Sequence, residues 1–195
     1  MNIKITKRDA LIIVDVQRDF CPGGSLPVPN GDEVIEVLNE YIEMFKDAGA
    51  LIYATRDWHP PNHISFRDYG GLWPPHCIQG SPGAEFHPDL KLPEDTIIIS
   101  KATETKREAY SGFEGTELKD SLLNKKVERV FIGGLATDYC VKSTVLDALR
   151  YGFKTFLLTD AIRGVNISPG DSERAIEEMV KKGAIKITLS DLISH

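Results

Sequence analysis

The chain has 195 residues, 42% of them apolar, enough to bury a continuous core in one compact domain spanning 1–195. A net charge of −6 with no basic run or Arg-rich stripe argues against a nucleic-acid or anionic-membrane partner, and no apolar segment approaches the roughly 20 residues of a membrane span. Three cysteines without CxxC spacing suggest neither a disulfide framework nor a thiolate zinc site, and MNIKITKRDALIIVDVQ has acidic residues where a signal peptide needs an unbroken apolar core, so the expected location is the cytosol.

Residues 10–14 read as a buried strand. The helix after it is the clearest in the chain: Val34, Val37, Leu38, Tyr41, Ile42 and Phe45 share one face, with Asp32 near the start and Gly49 past the end. A second apolar run, 50–54, follows. From 57 to 95 neither period is sustained, while Pro, Gly, His and aromatic residues accumulate; a loop this long inside a domain is usually functional or disordered, and Trp58, Phe66, Tyr69, Trp73 and Phe86 argue for order. Beyond it come a strand at 96–99, a helix carrying Leu118, Leu122 and Leu123, and a strand at 130–133. A helix over 141–149 stops at Gly152, a strand follows at 155–158, and the helix of Ala175, Ile176, Met179 and Val180 is followed by Gly183 and a strand at 184–189. This alternation predicts an α/β fold, a mostly parallel sheet of six strands with helices on both faces. Ligands in such folds gather at the carboxyl ends of the strands.

In RDWHPPNHISF, Asp57 and His59 are two apart, so in extended backbone both side chains point the same way. His63 lies four further on, and Pro60 and Pro61 stiffen the link; His76 follows in the similarly stiffened WPPHC. Any one of these could be an ordinary loop histidine, but a carboxylate with three imidazoles suits one divalent first-row ion, zinc first, with Fe²⁺ or Mn²⁺ as alternatives. His87 and His195 are left unassigned.

Asp15 ends the first apolar run. It could simply cap the following turn, yet a partly desolvated carboxylate there can take and return protons. Lys101 ends another run; lysines are usually solvated, but parallel strands bring these two charges to one sheet edge. Cys140 closes GGLATDYC, where a strand passes through glycines into a helix. A cysteine there could be core packing, but near a helix start and a lysine its thiol pKa is expected to fall, and the same backbone offers N–H groups to an oxyanion. Cys21 reads as packing and Cys77 as a bystander near the metal.

With these residues located, the chain resembles the nicotinamidase/pyrazinamidase family of the isochorismatase-like hydrolases nearly end to end. The matching segments are VDVQRDFCPGGSLPV, RDWHPPNHISF, WPPHCIQGSPGAEFHPDL, the Lys101 strand with YSGFEGTEL, GGLATDYCVKSTVLDAL and TDAIRGV. The resemblance implies a three-layer α/β/α doubly wound fold, a triad of Cys140, Asp15 and Lys101, and a divalent ion on Asp57, His59, His63 and His76, with His63 and His76 the positions where a contact through water or substrate could replace a direct bond. It also implies a cis peptide between Leu135 and Ala136, which aims the Ala136 N–H, with that of Cys140, at the substrate oxygen. A ring pocket is assigned to Phe20, Trp73 and Tyr110, with Leu135 beside them; for Tyr110 core packing is an equal reading.

The activity implied is metal-dependent hydrolysis of nicotinamide, and of pyrazinamide, to the acid and ammonia through a cysteine thioester, in NAD salvage, by a monomer or homo-oligomer. Two other readings stay open: an amidase for a carbamoyl or maleamate-like amide, which would share the triad but not call for the metal cluster, and an idle metal-binding protein on the same fold, which would lack a triad residue. Isochorismate ether hydrolysis does not call for the cysteine.

Overall fold

The computed structural model describes residues 2–193. A short strand β1 (Ile3–Lys4) leads into β2 (Asp9–Val14), which is buried at every position. After two 3-10 turns comes α1 (Val34–Asp47), then β3 (Leu51–Asp57), and, beyond the long loop, β4 (Ile97–Lys101). The remaining elements are α2 (Leu118–Asn124), β5 (Arg129–Leu135), α3 (Lys142–Arg150), β6 (Lys154–Arg163), α4 (Asp171–Lys181), β7 (Ile185–Ile187) and β8 (Leu192–Ile193). No helix among the described residues is long and apolar enough to cross a membrane.

Six strands form one parallel sheet in the order β4-β3-β2-β5-β6-β7. The chain therefore winds outward from β2 in one direction, then returns to the other side of β2 and winds away. Between β2 and β5 the winding reverses, and it is there that doubly wound sheets leave a crevice at their carboxyl ends. Side-chain alternation sorts the two faces. Leu11, Ile13, Ala54 and Phe131 join the core under α1, whereas Ala10, Ile12, Val14, Tyr53 and Ile132 join the core under α2, α3 and α4. Helix α1 buries Val34, Ile35, Leu38, Tyr41, Ile42 and Phe45 on the first face, each worth roughly 1.5–3 kcal/mol of transfer free energy.

The strands outrun their apolar runs. Polar Thr55, Arg56 and Asp57 end the apolar signal of β3, but backbone pairing with β4 carries the strand to Asp57. Strand β6 likewise continues past 158 to Arg163, through an irregularity opposite Ile132 and Gly134, while the last strand of the main sheet is shorter than expected. The two-stranded pairing of β1 with β8 has no apolar run to announce it. Gly134 lets β5 pass close to β2: its φ is +119°, and a Cβ there would sit 2.2 Å from the Val14 carbonyl oxygen.

Residues 58–95 are ordered without being regular. Two 3-10 turns (Arg67–Tyr69 and Pro82–Ala84) and isolated bridges pairing His59 with Ile78 and Phe66 with Trp73 fold this loop over the carboxyl ends of β2, β3 and β4. Phe66 and Cys77 within it are fully buried.

Candidate active site

Sheet register brings the charged residues together. Asp57 and Lys101 are directly paired neighbours at the ends of β3 and β4, and Asp15 is the residue at which the chain leaves β2. Asp15 adopts a left-handed φ of +50°, a conformation that Asp tolerates better than most residues. Its N–H still donates to the Thr55 carbonyl (3.1 Å), so the carboxylate is fixed at the sheet edge. The Lys101 ammonium lies 2.9 Å from Asp15 Oδ2, also hydrogen-bonds Asp57 Oδ1, and is 3.4 Å from Cys140 Sγ and 3.3 Å from the Ala109 carbonyl. Thr55 Oγ1 donates to Asp15 Oδ1 at 2.7 Å. Lys101 thus touches both of the other residues read from sequence as a triad, and all three are buried.

Their electrostatics follow from that burial. Desolvation pulls the Lys101 ammonium down, but Asp15 and Asp57 outweigh it and hold it well above its ordinary range, so it stays charged. Burial pushes Asp15 up more than Lys101 pulls it down. Burial also acts upward on Asp57, and there the Lys101 ammonium prevails and holds it low. The expectation of a depressed Cys140 thiol is corrected: burial pushes it well above the usual thiol range, and Asp15 and Asp57 add to this against Lys101. Cys140 does not open a regular helix. It lies in a π turn (Thr137–Val141) ahead of α3, beneath the pocket floor, where lost hydration costs the thiolate more than one cation returns. The Cys140 sulfur lies within 4.8 Å of the Asp15 carboxylate.

Asp57, His59 and His76 converge, their ligand atoms within 4.8 Å of one another. His59 Nδ1 faces the His76 carbonyl (3.1 Å) and His76 Nδ1 faces the Pro74 carbonyl (2.7 Å), which puts each ring's Nδ1–H on a carbonyl and leaves Nε2 as a lone pair toward Asp57. Both Nε2 atoms lie 3.9 Å from Asp57 Oδ2, and that of His59 is buried with no hydrogen-bond partner. Burial lowers the His59 pKa to about 4, so the ring is neutral. An unpartnered neutral imidazole, a second imidazole and a carboxylate fit a divalent ion.

His63 stands outside this set, at one of the two positions where the resemblance allows a contact through water or substrate in place of a direct bond. Its Nδ1 accepts from Ser65 (2.7 Å from Oγ, 3.2 Å from N) and its Nε2 faces the Arg107 carbonyl at 2.9 Å, so both nitrogens are occupied. Its ring packs on His59 at 4.4 Å, and its ligand atoms group with His59 and Glu108 instead.

Above these groups is a cavity of about 50 Å³ lined by Asp15, Asp57, His76 and Cys140 below, and by Phe20, Trp73, Tyr110 and Leu135 around. All four residues assigned to a ring pocket therefore line one cavity. Trp73 Nε1 donates to Tyr110 Oη (3.1 Å), and Tyr139, which the sequence reading passes over, packs on both rings at 5.2 and 5.7 Å. The peptide between Leu135 and Ala136 is cis, as the resemblance implies. Cys21 lies in the core; the Cys77 N–H donates to Asp19 and its carbonyl accepts from His59 N–H. His195 lies outside the described residues.

Two further residues hold the site without any apolar pattern to reveal them. Thr55 orients Asp15, and Gln17, fully buried, binds the backbone of Asp57. Gln17 sits in the VDVQRDF segment, two residues past Asp15, which is the one signal available in the sequence.

A parallel doubly wound sheet with a cysteine, a lysine and two carboxylates gathered at its carboxyl edge is the three-layer α/β/α architecture of the isochorismatase-like hydrolases. The chain belongs to the isochorismatase family, in its nicotinamidase/pyrazinamidase branch: the Isochorismatase domain matches residues 9–191. It is 41% identical to the nicotinamidase of Escherichia coli strain K12 over 203 residues, covering 93% of this chain and 95% of that one. It is 43% identical to the nicotinamidase/pyrazinamidase of Mycobacterium tuberculosis over 178 residues, covering 87% and 93%. The zinc complex of Pyrococcus horikoshii pyrazinamidase superposes with a TM-score of 0.90 at 59% identity, covering 93% of this chain and 99% of that one.

Proposed function

We propose that the chain is a nicotinamidase, hydrolysing nicotinamide, and pyrazinamide with it, to the carboxylic acid and ammonia, a reaction of pyridine nucleotide salvage. The observation that carries this reading is the junction of Cys140, Lys101 and Asp15 beneath a cavity walled by Phe20, Trp73, Tyr110 and Tyr139. Flat aromatic walls suit a flat ring, and a thiol at the floor suits the carboxamide carbon.

Asp15, whose raised pKa suits a group that takes and returns protons, accepts the Cys140 proton as sulfur attacks the carbonyl carbon. The C=O electrons move onto oxygen, which the N–H groups of Ala136 and Cys140 stabilise. Collapse re-forms C=O and breaks the C–N bond, Asp15 gives its proton to the leaving nitrogen, and ammonia departs from a thioester. Water then attacks the thioester while Asp15 takes its proton; the C–S bond breaks, and the sulfur regains a proton as the acid leaves. Lys101 stays charged throughout, offsetting the negative charge that passes between Asp15 and Cys140. Asp57, His59 and His76 would hold a divalent ion, zinc by first choice, which would supply a Lewis-acid position for the ring nitrogen.

An amidase for a small open-chain amide would share the triad. The aromatic walls favour the ring substrate. The test is ammonia release from nicotinamide by purified protein, with metal content measured on the same sample. Turnover with about one divalent ion per chain supports the reading, and turnover of open-chain amides alone would overturn it.

A further inference from the structure

Asp57 belongs to both halves of the site: one carboxylate oxygen holds Lys101 and the other faces the two histidines. Its backbone would need to be fixed for either use, and it lies at the last residue of β3, where sheet pairing gives out. The support comes from a side chain. Gln17 Oε1 accepts from the Asp57 N–H at 2.8 Å, and Gln17 Nε2 donates to the Asp57 carbonyl at 2.8 Å and to the Ala84 carbonyl at 2.9 Å. The carboxamide thus pairs with Asp57 as a neighbouring strand's peptide would, and fastens the loop around Ala84 to the same point. Gln17 is itself anchored: its N–H closes a three-residue turn on the Asp15 carbonyl at 2.8 Å, and it bridges to Phe86. It is 0% exposed, and its amide oxygen and both N–H donors are used.

We infer that Gln17 is a positioning residue for the metal seat, its carboxamide locking the Asp57 backbone so that the carboxylate presents one oxygen to Lys101 and the other to His59 and His76. The inference rests on the reading of Asp57, His59 and His76 as metal ligands. Gln17 does not line the cavity, and it reaches the metal seat through its two hydrogen bonds to the Asp57 backbone.

The test is zinc affinity, measured by competition with a chromophoric chelator, for the parent, Gln17→Met and Leu38→Ala. Methionine fills the glutamine's volume without its hydrogen bonds. Leu38 lies on the buried face of α1 and lines no part of the cavity, and its truncation controls for lost stability. Outer partners of metal ligands typically govern affinity by about 10–100-fold, and a loss of at least tenfold is expected in Gln17→Met with Leu38→Ala near the parent. Gln17→Glu, which keeps the acceptor for the Asp57 N–H but meets two carbonyls with an oxygen, should fall in the same direction and serves if the methionine variant does not fold. Zinc affinity within twofold of the parent in the folded Gln17 variant, or an equal loss in Leu38→Ala, overturns the inference. A parent that binds no zinc would instead overturn the metal reading beneath it.

Discussion

Removing the Lys101 ammonium while keeping its bulk, as in Lys101→Met, leaves Asp15 and Asp57 facing each other in a site with almost no solvent. In the parent the ammonium is 2.9 Å from Asp15 and in contact with Asp57, distances at which a unit charge pair is worth several kcal/mol even at an effective dielectric of about 20. Stripping one partner from a buried pair costs about 3–5 kcal/mol, a large share of a total stability of about 5–15 kcal/mol. The sign of the pH dependence follows. Lys101 holds Asp57 below its ordinary value, so its stabilising contribution is present above the ordinary carboxylate pKa and is lost as pH falls through the folded value. Without the cation both carboxylates rise above their ordinary values, so the deficit is greatest at neutral pH and shrinks as acid protonates them. Lys101's own raised pKa contributes below the ordinary lysine value and fades only as pH climbs past it, outside this window. Urea unfolding of metal-stripped parent and variant at pH 7.5 and pH 5 reads both effects. A deficit below about 1 kcal/mol at pH 7.5, or one equal at the two pH values, would refute the reasoning.

Gly134→Ala should lose about 2–6 kcal/mol, combining backbone strain at φ +119° with a Cβ 2.2 Å from the Val14 carbonyl; thermal unfolding within 2 °C of the parent would contradict this. Lys101→Ala should raise the Cys140 thiol pKa further, since the Lys101 charge that lowers it is gone, and alkylation rate against pH should shift to higher pH. Benzamide, which lacks the ring nitrogen, should be a much poorer substrate than nicotinamide, and chelation should weaken nicotinamide binding to Cys140→Ala in calorimetric titration; equal affinities before and after chelation would show that the ion does not anchor the ring.

The sequence reveals Asp15, Lys101 and Cys140 because each follows an apolar run and parallel strands end at a common edge. Asp57 and His59 are legible through their alternation in extended backbone. What stays hidden depends on tertiary packing. Gln17 acts on backbone groups, which every sequence offers, so its letter looks the same in the core as on the surface. His63 shares the motif of the metal residues, yet Ser65 and the Arg107 carbonyl, brought in by the fold of the loop, take both its nitrogens. The direction of the Cys140 pKa is misread for a related reason: a helix start and a nearby lysine are visible in the letters, whereas complete burial beside two carboxylates is not.

The central claim is that Cys140 carries the acyl group during hydrolysis of nicotinamide. Rapid quenching of the metal-loaded protein in acid within its first turnover, followed by peptide mass spectrometry, tests it directly. The account predicts a nicotinoyl group on the peptide containing Cys140, absent in Cys140→Ala together with ammonia release. A nicotinoyl group on Cys21 or Cys77, or near-normal ammonia release from Cys140→Ala, would contradict it.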